Sequence, residues 1–177
     1  MNKAVFLDRD GTLIYDKDYL HDPDQVELIP KVKDAINQLS QAGYLLFLFT
    51  NQSGVGRGYF PLEDAIACNK KTESLLGKNF QFKEICIAPE APDQPSEYRK
   101  PSPRFINEMV EKYKLLPKQC WMLGDRLSDI KAGKRAGINS ILLECGKNIP
   151  GKTLKFARDN SIPVASDLFT SLKEILV

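Results

Sequence analysis

The sequence has little of what several protein classes need. It contains one histidine, His21, and four cysteines, Cys68, Cys86, Cys120 and Cys145, none in a CxxC pair. That spacing argues against a zinc site built from the four. A disulfide framework is not expected either, since Cys86, Cys120 and Cys145 lie in or beside apolar runs, where buried free thiols are usual. A lone histidine in a polar loop reads as solvated rather than catalytic. The longest apolar stretch, Tyr44 to Phe49, is too short to cross a bilayer. The 25 basic and 23 acidic residues nearly cancel, which leaves no case for nucleic acid or a membrane surface as partner. No GxGxxG follows the first apolar run, so a dinucleotide-binding oxidoreductase is disfavoured. Repeats and low-complexity tracts are absent. Met1-Asn2-Lys3 leads straight into the first apolar run, so no secretory signal and a cytoplasmic location are expected.

What is present is an ordinary globular composition, 42% hydrophobic and 27% charged over 177 residues, and one domain over 1–177 is expected. Apolar runs at 4–7, 44–49, 83–88, 119–123 and 139–143 alternate with 3.6-period segments at 31–42, 62–77, 103–114 and 127–136. A last helix near 167–176 is expected to start at Asp167 as N-cap, and Ser102-Pro103 to cap the helix that follows it. Near-continuous apolar strands separated by helices predict an α/β fold: a three-layer α/β/α sandwich with a doubly wound, mainly parallel, Rossmann-like sheet. Two segments, 13–30 and 89–101, lack periodicity and fall where loops can cover a site. No insertion is large enough for a separate cap domain.

Ligands of such sheets bind beyond the carboxyl ends of the strands, and here those ends are chemically unusual. The first run ends in Asp8-Arg9-Asp10-Gly11-Thr12, which on its own reads equally as an acidic turn or as a site. The second ends in Thr50-Asn51-Gln52-Ser53-Gly54-Val55-Gly56-Arg57-Gly58, an inventory suited to an oxyanion. The third leads to Arg99-Lys100-Pro101, and the fourth to Gly124-Asp125-Arg126-Leu127-Ser128-Asp129. With strands one, two and four side by side, Asp8, Asp10, Asp125 and Asp129 meet Lys100 and the Thr50 hydroxyl. Clustered carboxylates require a cation or a proton. All-oxygen ligands favour a hard ion, so Mg²⁺ is expected. Acids beside a lysine and a hydroxyl suit a phosphoryl group, whose transfer needs mainly positioning and charge neutralisation.

The four segments together resemble the haloacid dehalogenase superfamily of Mg²⁺-dependent phosphatases: Asp-x-Asp-Gly-Thr, the Thr50 strand end, Lys100 and Gly-Asp-x-x-x-Asp, in that order over nearly the whole chain. Their wording is similar to the branch of D,D-heptose 1,7-bisphosphate and histidinol-phosphate phosphatases. The resemblance implies Asp8 as nucleophile and Asp10 as general acid and base. It implies that Asp8, the Asp10 carbonyl and Asp125 hold Mg²⁺, with Asp129 orienting them, and that Thr50 and Lys100 hold the phosphate. It further implies substrate contacts from Asp16, Lys17, Asp18, Tyr19, Asn51, Gln52, Ser53, Arg99 and Arg126; Arg99 and Arg126 suit a second phosphate. The implied substrate is a small phosphorylated metabolite, a heptose bisphosphate losing its 7-phosphate or else histidinol phosphate, and the implied state a monomer. A catalytically silent phosphate-binding module is the reading from another class. Blander readings stand beside these. Thr50 can serve only its strand end, Asp129 can be a helix-terminal charge, Arg57 can be a substrate contact or a solvated cation, and Tyr15 and Tyr19 can pack the loop or touch substrate.

One departure limits the substrate assignment. That branch carries a zinc loop, Cys-x-His and then Cys-x-Cys, before its Arg-Lys-Pro. Here the matching positions hold Ala88, Glu90, Ser96 and Tyr98, so no zinc is expected.

Overall fold

The computed structural model describes residues 2–176, and six of its segments are strands of one sheet. The strands are β1 (Asn2–Leu7), β2 (Tyr44–Asn51), β3 (Glu84–Ala88), β4 (Leu115–Gly124), β5 (Asn139–Leu143) and β6 (Val164–Ala165). Their order is β3-β2-β1-β4-β5-β6 and every pairing is parallel. The chain thus runs outward from β1 to β3, then crosses back to β4. The reversal lies between β1 and β4, the place where open parallel sheets bind ligands.

Among the described residues are seven α-helices: α1 (Val32–Gln41), α2 (Ser53–Gly56), α3 (Leu62–Leu76), α4 (Arg104–Lys112), α5 (Leu127–Arg135), α6 (Gly151–Asp159) and α7 (Leu168–Ile175). Side chains of β1 alternate between the two faces, as the pleat requires. Val5 and Leu7 join a core with Val32, Ala35, Ile36 and Leu39 of α1, Cys68 of α3 and Leu172 of α7. Ala4 and Phe6 face Phe105, Ile106 and Met109 of α4 and Ala132 of α5. There Phe6 stacks on Phe47 at 4.8 Å, and Phe105 meets Phe6 edge-on at 5.9 Å. The α1 spacing 32, 35, 36, 39 is the apolar stripe of an amphipathic helix. No described helix is long and apolar enough to cross a membrane.

Several local expectations shift. β4 begins at Leu115 rather than 119. Its first residue pairs with Asn2, and the register then slips before Cys120 pairs with Ala4. Pro117, Lys118 and Gln119 hide this first part. Helix α4 begins one residue later than Ser102-Pro103 predicts: Pro103 occupies the N-cap, while Ser102 Oγ donates to Glu97 O at 2.6 Å. Asp167 does cap α7, accepting from Thr170 N at 2.7 Å. Helices α2 and α6 and strand β6 carry no legible period. α2 is four residues with two glycines, α6 buries only Thr153 and Ala157, and β6 is a residue pair.

Segment 13–30 is irregular yet tied to the body. Leu13, Ile14, Leu20, Val26 and Ile29 are buried, and Ile29 N donates to Leu13 O at 3.0 Å. It stands as a fixed wall beside the strand ends. Within it His21 is exposed, stacked on Phe60 and held to Tyr19 O at 2.9 Å.

Candidate active site

Parallel pairing of β1 with β4 puts Leu7 opposite Leu123, so Asp8 and Asp125 leave adjacent strands almost level. Asp8 N donates to Leu123 O at 3.0 Å, which fixes the first of them. Beyond Asp10 the chain reverses at Gly11, whose φ of +77° suits glycine, and Gly11 N donates to Ile14 O at 2.8 Å. A Cβ on Gly11 would stand 2.5 Å from Asp125 Oδ2, and one on Gly146 would overlap the same oxygen. Bare backbone from two loops therefore closes round the Asp125 carboxylate.

Lys100 comes from the loop before α4 and is buried at the centre of the acids. Its ammonium donates to Asp8 Oδ1 at 2.7 Å and to Phe49 O at 2.6 Å. Asp129 Oδ1 is also 2.7 Å away, an ion pair outside hydrogen-bonding angles. Burial alone would depress the Lys100 pKa, but the Asp129 and Asp8 charges outweigh it and hold the ammonium protonated. Burial also raises Asp8, with Asp129 adding to the shift and Lys100 opposing it. Asp125 has no ammonium against it, only Arg126 Nε at 3.9 Å. Burial, then Asp8 and Asp129, push its carboxyl up to about 8. Asp129, at the third position of α5, accepts from Arg126 N at 2.9 Å. Helix capping and charge pairing thus coexist in that residue.

Oxygens of Asp8, Asp125 and Asp129 all lie within 4.8 Å of one another, and Oδ1 of Asp125 and of Asp129 are buried without a hydrogen-bond partner. Three acids share one ammonium, so the cluster is short of positive charge. Orphaned carboxylate oxygens in a cluster made of aspartates alone fit a hard divalent ion such as Mg²⁺. The Asp10 side chain is turned elsewhere. Arg9 holds both its oxygens, Nε to Oδ2 at 3.1 Å and Nη2 to Oδ1 at 3.2 Å, and Gln52 Nε2 donates to Oδ2 at 2.9 Å.

A cavity of about 250 Å³ opens above these groups. Its lining includes Asp8, Asp10, Lys100 and Asp129, with Asp16, Asp18, Tyr19, Asn51, Gln52, Ser53, Arg99 and Arg126. Thr50 lies beneath it, its Oγ1 accepting from Gln52 Nε2 at 2.7 Å. Asp125 lines an adjoining cavity with Arg126 and Lys147. Two of the sequence-predicted contacts sit apart. Lys17 turns outward, donating to Gln25 O at 2.8 Å with Glu27 at 3.3 Å. Arg57, the C-cap residue that follows α2, is exposed and outside the cavity lining. Arg99 is half-buried and anchored on Glu90 O at 2.9 Å. Burial lowers its pKa and Arg57 and Arg126 add to that, while the Glu90 carboxylate opposes them. A guanidinium pushed in this way favours an anion beside it. Asp16 is already engaged by Arg126 at 2.8 Å, and Asp18 is paired with Lys147. Sequence reasoning missed Arg9 and Asn69 as supports of Asp10; only the motif position of Arg9 hinted at the first.

Residues 97–171 match the family model described as HAD-hyrolase-like. A D-glycero-beta-D-manno-heptose-1,7-bisphosphate 7-phosphatase of Haemophilus influenzae is 36% identical over 160 residues, covering 86% of this chain and 87% of the relative. One of Pseudomonas putida is 32% identical over 176 residues, covering 98% of this chain and 99% of the relative. The structure is similar to the crystal structure of D,D-heptose 1,7-bisphosphate phosphatase from B. bronchiseptica complexed with magnesium and phosphate. The TM-score is 0.87 at 30% identity, with 98% of each chain covered.

Proposed function

The chain belongs to the heptose-1,7-bisphosphate 7-phosphatase family of haloacid dehalogenase-like phosphatases, and from that premise we propose that it removes the 7-phosphate of D-glycero-D-manno-heptose 1,7-bisphosphate through an aspartyl-phosphate. The observation that carries this reading is Asp8. Its carboxylate stands at the mouth of β1, 2.7 Å from the Lys100 ammonium, on the wall of the cavity.

An Asp8 oxygen attacks phosphorus, and the bond from phosphorus to the sugar oxygen breaks. Asp10 gives its proton to that oxygen, then takes one from the water that attacks the aspartyl-phosphate. Inorganic phosphate leaves and Asp8 returns to its starting state. Lys100 neutralises Asp8 and the incoming phosphoryl oxygens throughout. Asp8, the Asp10 carbonyl and Asp125 would hold Mg²⁺, which when bound supplies positive charge to the transferring group. Gln52 steadies Asp10 from one side, and Thr50 steadies Gln52.

The second phosphate has its counter-charges in Arg99 and Arg126. The same two cations disfavour histidinol phosphate, whose ammonium they would repel. The proposed working unit is a monomer acting on a small metabolite in the cytoplasm, with neither nucleic acid nor a membrane as partner. The loop 89–98 is held by protein hydrogen bonds, Gly56 N to Pro89 O at 2.8 Å and Ala91 N to Gln94 Oε1 at 2.7 Å, and is proposed to work without zinc.

The test pairs Asp8→Asn with a substrate comparison. Asp8→Asn abolishes turnover while the circular dichroism spectrum is unchanged. Full activity in that variant would remove the nucleophile, and a higher kcat/KM for histidinol phosphate than for the heptose bisphosphate would overturn the substrate.

A further inference from the structure

Arg9 is the largest side chain that solvent does not reach at all, and it does not line the cavity. It lies between two acids of the site, yet its side chain runs under the cavity floor to α3. There Nη1 donates to Asn69 Oδ1 at 2.9 Å, with Ala65 O at 3.4 Å. The other face of the same guanidinium takes both oxygens of Asp10. Asn69 is itself buried in the middle of α3, where a polar side chain is unusual without a partner.

A buried ion pair is a poor way to fill a core, because well-packed apolar residues usually serve as well or better. The charge here has a geometric use instead. A planar guanidinium meeting a carboxylate through two parallel bonds fixes the plane of that carboxylate, which a lysine cannot do. With Gln52 added, Asp10 Oδ2 accepts two hydrogen bonds and Oδ1 one. The oxygen with spare capacity is Oδ1, the place for a proton that must be handed on. Asp10 keeps 19% of its side chain exposed on the cavity side, so the acid is held from behind and free in front.

We propose that Arg9, socketed on α3 by Asn69, is a positioning residue that holds the Asp10 carboxyl in line with the leaving oxygen. The inference rests on the reading of Asp10 as proton donor. As the bond from phosphorus to the sugar oxygen breaks, that oxygen takes the proton from Asp10. The carboxylate left behind is met by the guanidinium already in place.

Leaving-group dependence isolates this step. The quantity kcat/KM reports formation of the aspartyl-phosphate. A sugar alkoxide needs a proton to leave, whereas p-nitrophenolate does not. In Arg9→Met, kcat/KM for the sugar phosphate falls about a hundredfold, while that for p-nitrophenyl phosphate stays within about threefold. Arg9→Lys recovers only part of the loss, and Asn69→Leu, which keeps the ion pair but removes its anchor, shows the same split at about tenfold. Equal losses on both substrates, or no loss on either, overturn the proposal. Should Arg9→Met fail to fold, Asn69→Leu decides by the same criterion. Asp10→Asn is measured alongside. Absence of the split there removes the proton-donor reading and the inference with it, whereas a split there without one in the Arg9 and Asn69 variants removes the inference alone.

Discussion

Asn51 grips Lys100 by both of its backbone groups: Oδ1 accepts from the Lys100 N–H at 2.9 Å, and Nδ2 donates to the Lys100 carbonyl at 3.1 Å. Asn51 is the last residue of β2 and pairs with Ala88 of β3. The strand end therefore sets where the Lys100 ammonium stops, and with it the contact to Asp8.

That clamp predicts the behaviour of Asn51→Ala. Two hydrogen bonds at about 1 kcal/mol each give a loss of about 2 kcal/mol in stability. Loosening Lys100 by a fraction of an ångström lowers kcat/KM by about ten- to a hundredfold. Urea unfolding and steady-state kinetics check the two together. A raised KM with an unchanged unfolding midpoint would mark Asn51 as a substrate contact and nothing more.

The strand ends were legible because each apolar run stops abruptly in charged or amide residues, and because β1 falls between β2 and β4 in a doubly wound sheet. Asp8 and Asp129 on the cavity wall, with Asp125 beside them, follow from that arrangement, and Lys100 joins them through the Asn51 clamp. Other features depend on what long-range packing brings near. Arg9 looked like part of an acidic motif, but its direction depends on Asn69, sixty residues on, which meets it only once α3 packs against the sheet. Lys17 has a plausible position in the loop, yet its ammonium finds Gln25 O and Glu27 first. Helix α6 escaped notice because its buried face is Thr153 and Ala157, too small to mark a period.

Asp125 links metal binding to pH. In protein treated with a chelator, its carboxyl is raised from 3.8 to about 8, first by burial and then by Asp8 and Asp129. A native group with a raised pKa keeps a proton that the unfolded chain releases. Its stabilising contribution is complete below about pH 4 and is lost as pH rises through about 8. Asp8 shifts in the same direction. Mg²⁺ must displace the proton to use the same oxygen, so its apparent affinity rises over that range. Chelated protein should therefore lose Tm between about pH 4 and about pH 8, while the Tm gain from a fixed Mg²⁺ concentration grows. Thermal melts across that range check both trends, and a Mg²⁺ gain independent of pH would contradict them.

Gly56 governs the loop that anchors Arg99. Its N–H donates to Pro89 O at 2.8 Å, and its carbonyl accepts from Gln94 Nε2 at 3.3 Å. A Cβ there would lie 2.5 Å from Ala91 N, 2.5 Å from Gln94 Oε1 and 2.8 Å from Pro89 O. Two of those atoms are backbone, so in Gly56→Ala the loop itself must move away from α2. Overpacking of this kind costs about 1–3 kcal/mol of stability. The moved segment carries Glu90 O, the acceptor that positions the Arg99 guanidinium. Arg99 lines the cavity, so its displacement should be felt by a substrate with a second phosphate. The expected outcome is a KM for the heptose bisphosphate raised about tenfold, corresponding to the loss of about 1.4 kcal/mol of binding. KM for a sugar monophosphate should barely change, because its single phosphate rests on Lys100 and Asp8. Parallel kinetics on the two substrates decide the matter. An equal change in both would mean that the loop supports the fold without setting the distal contact.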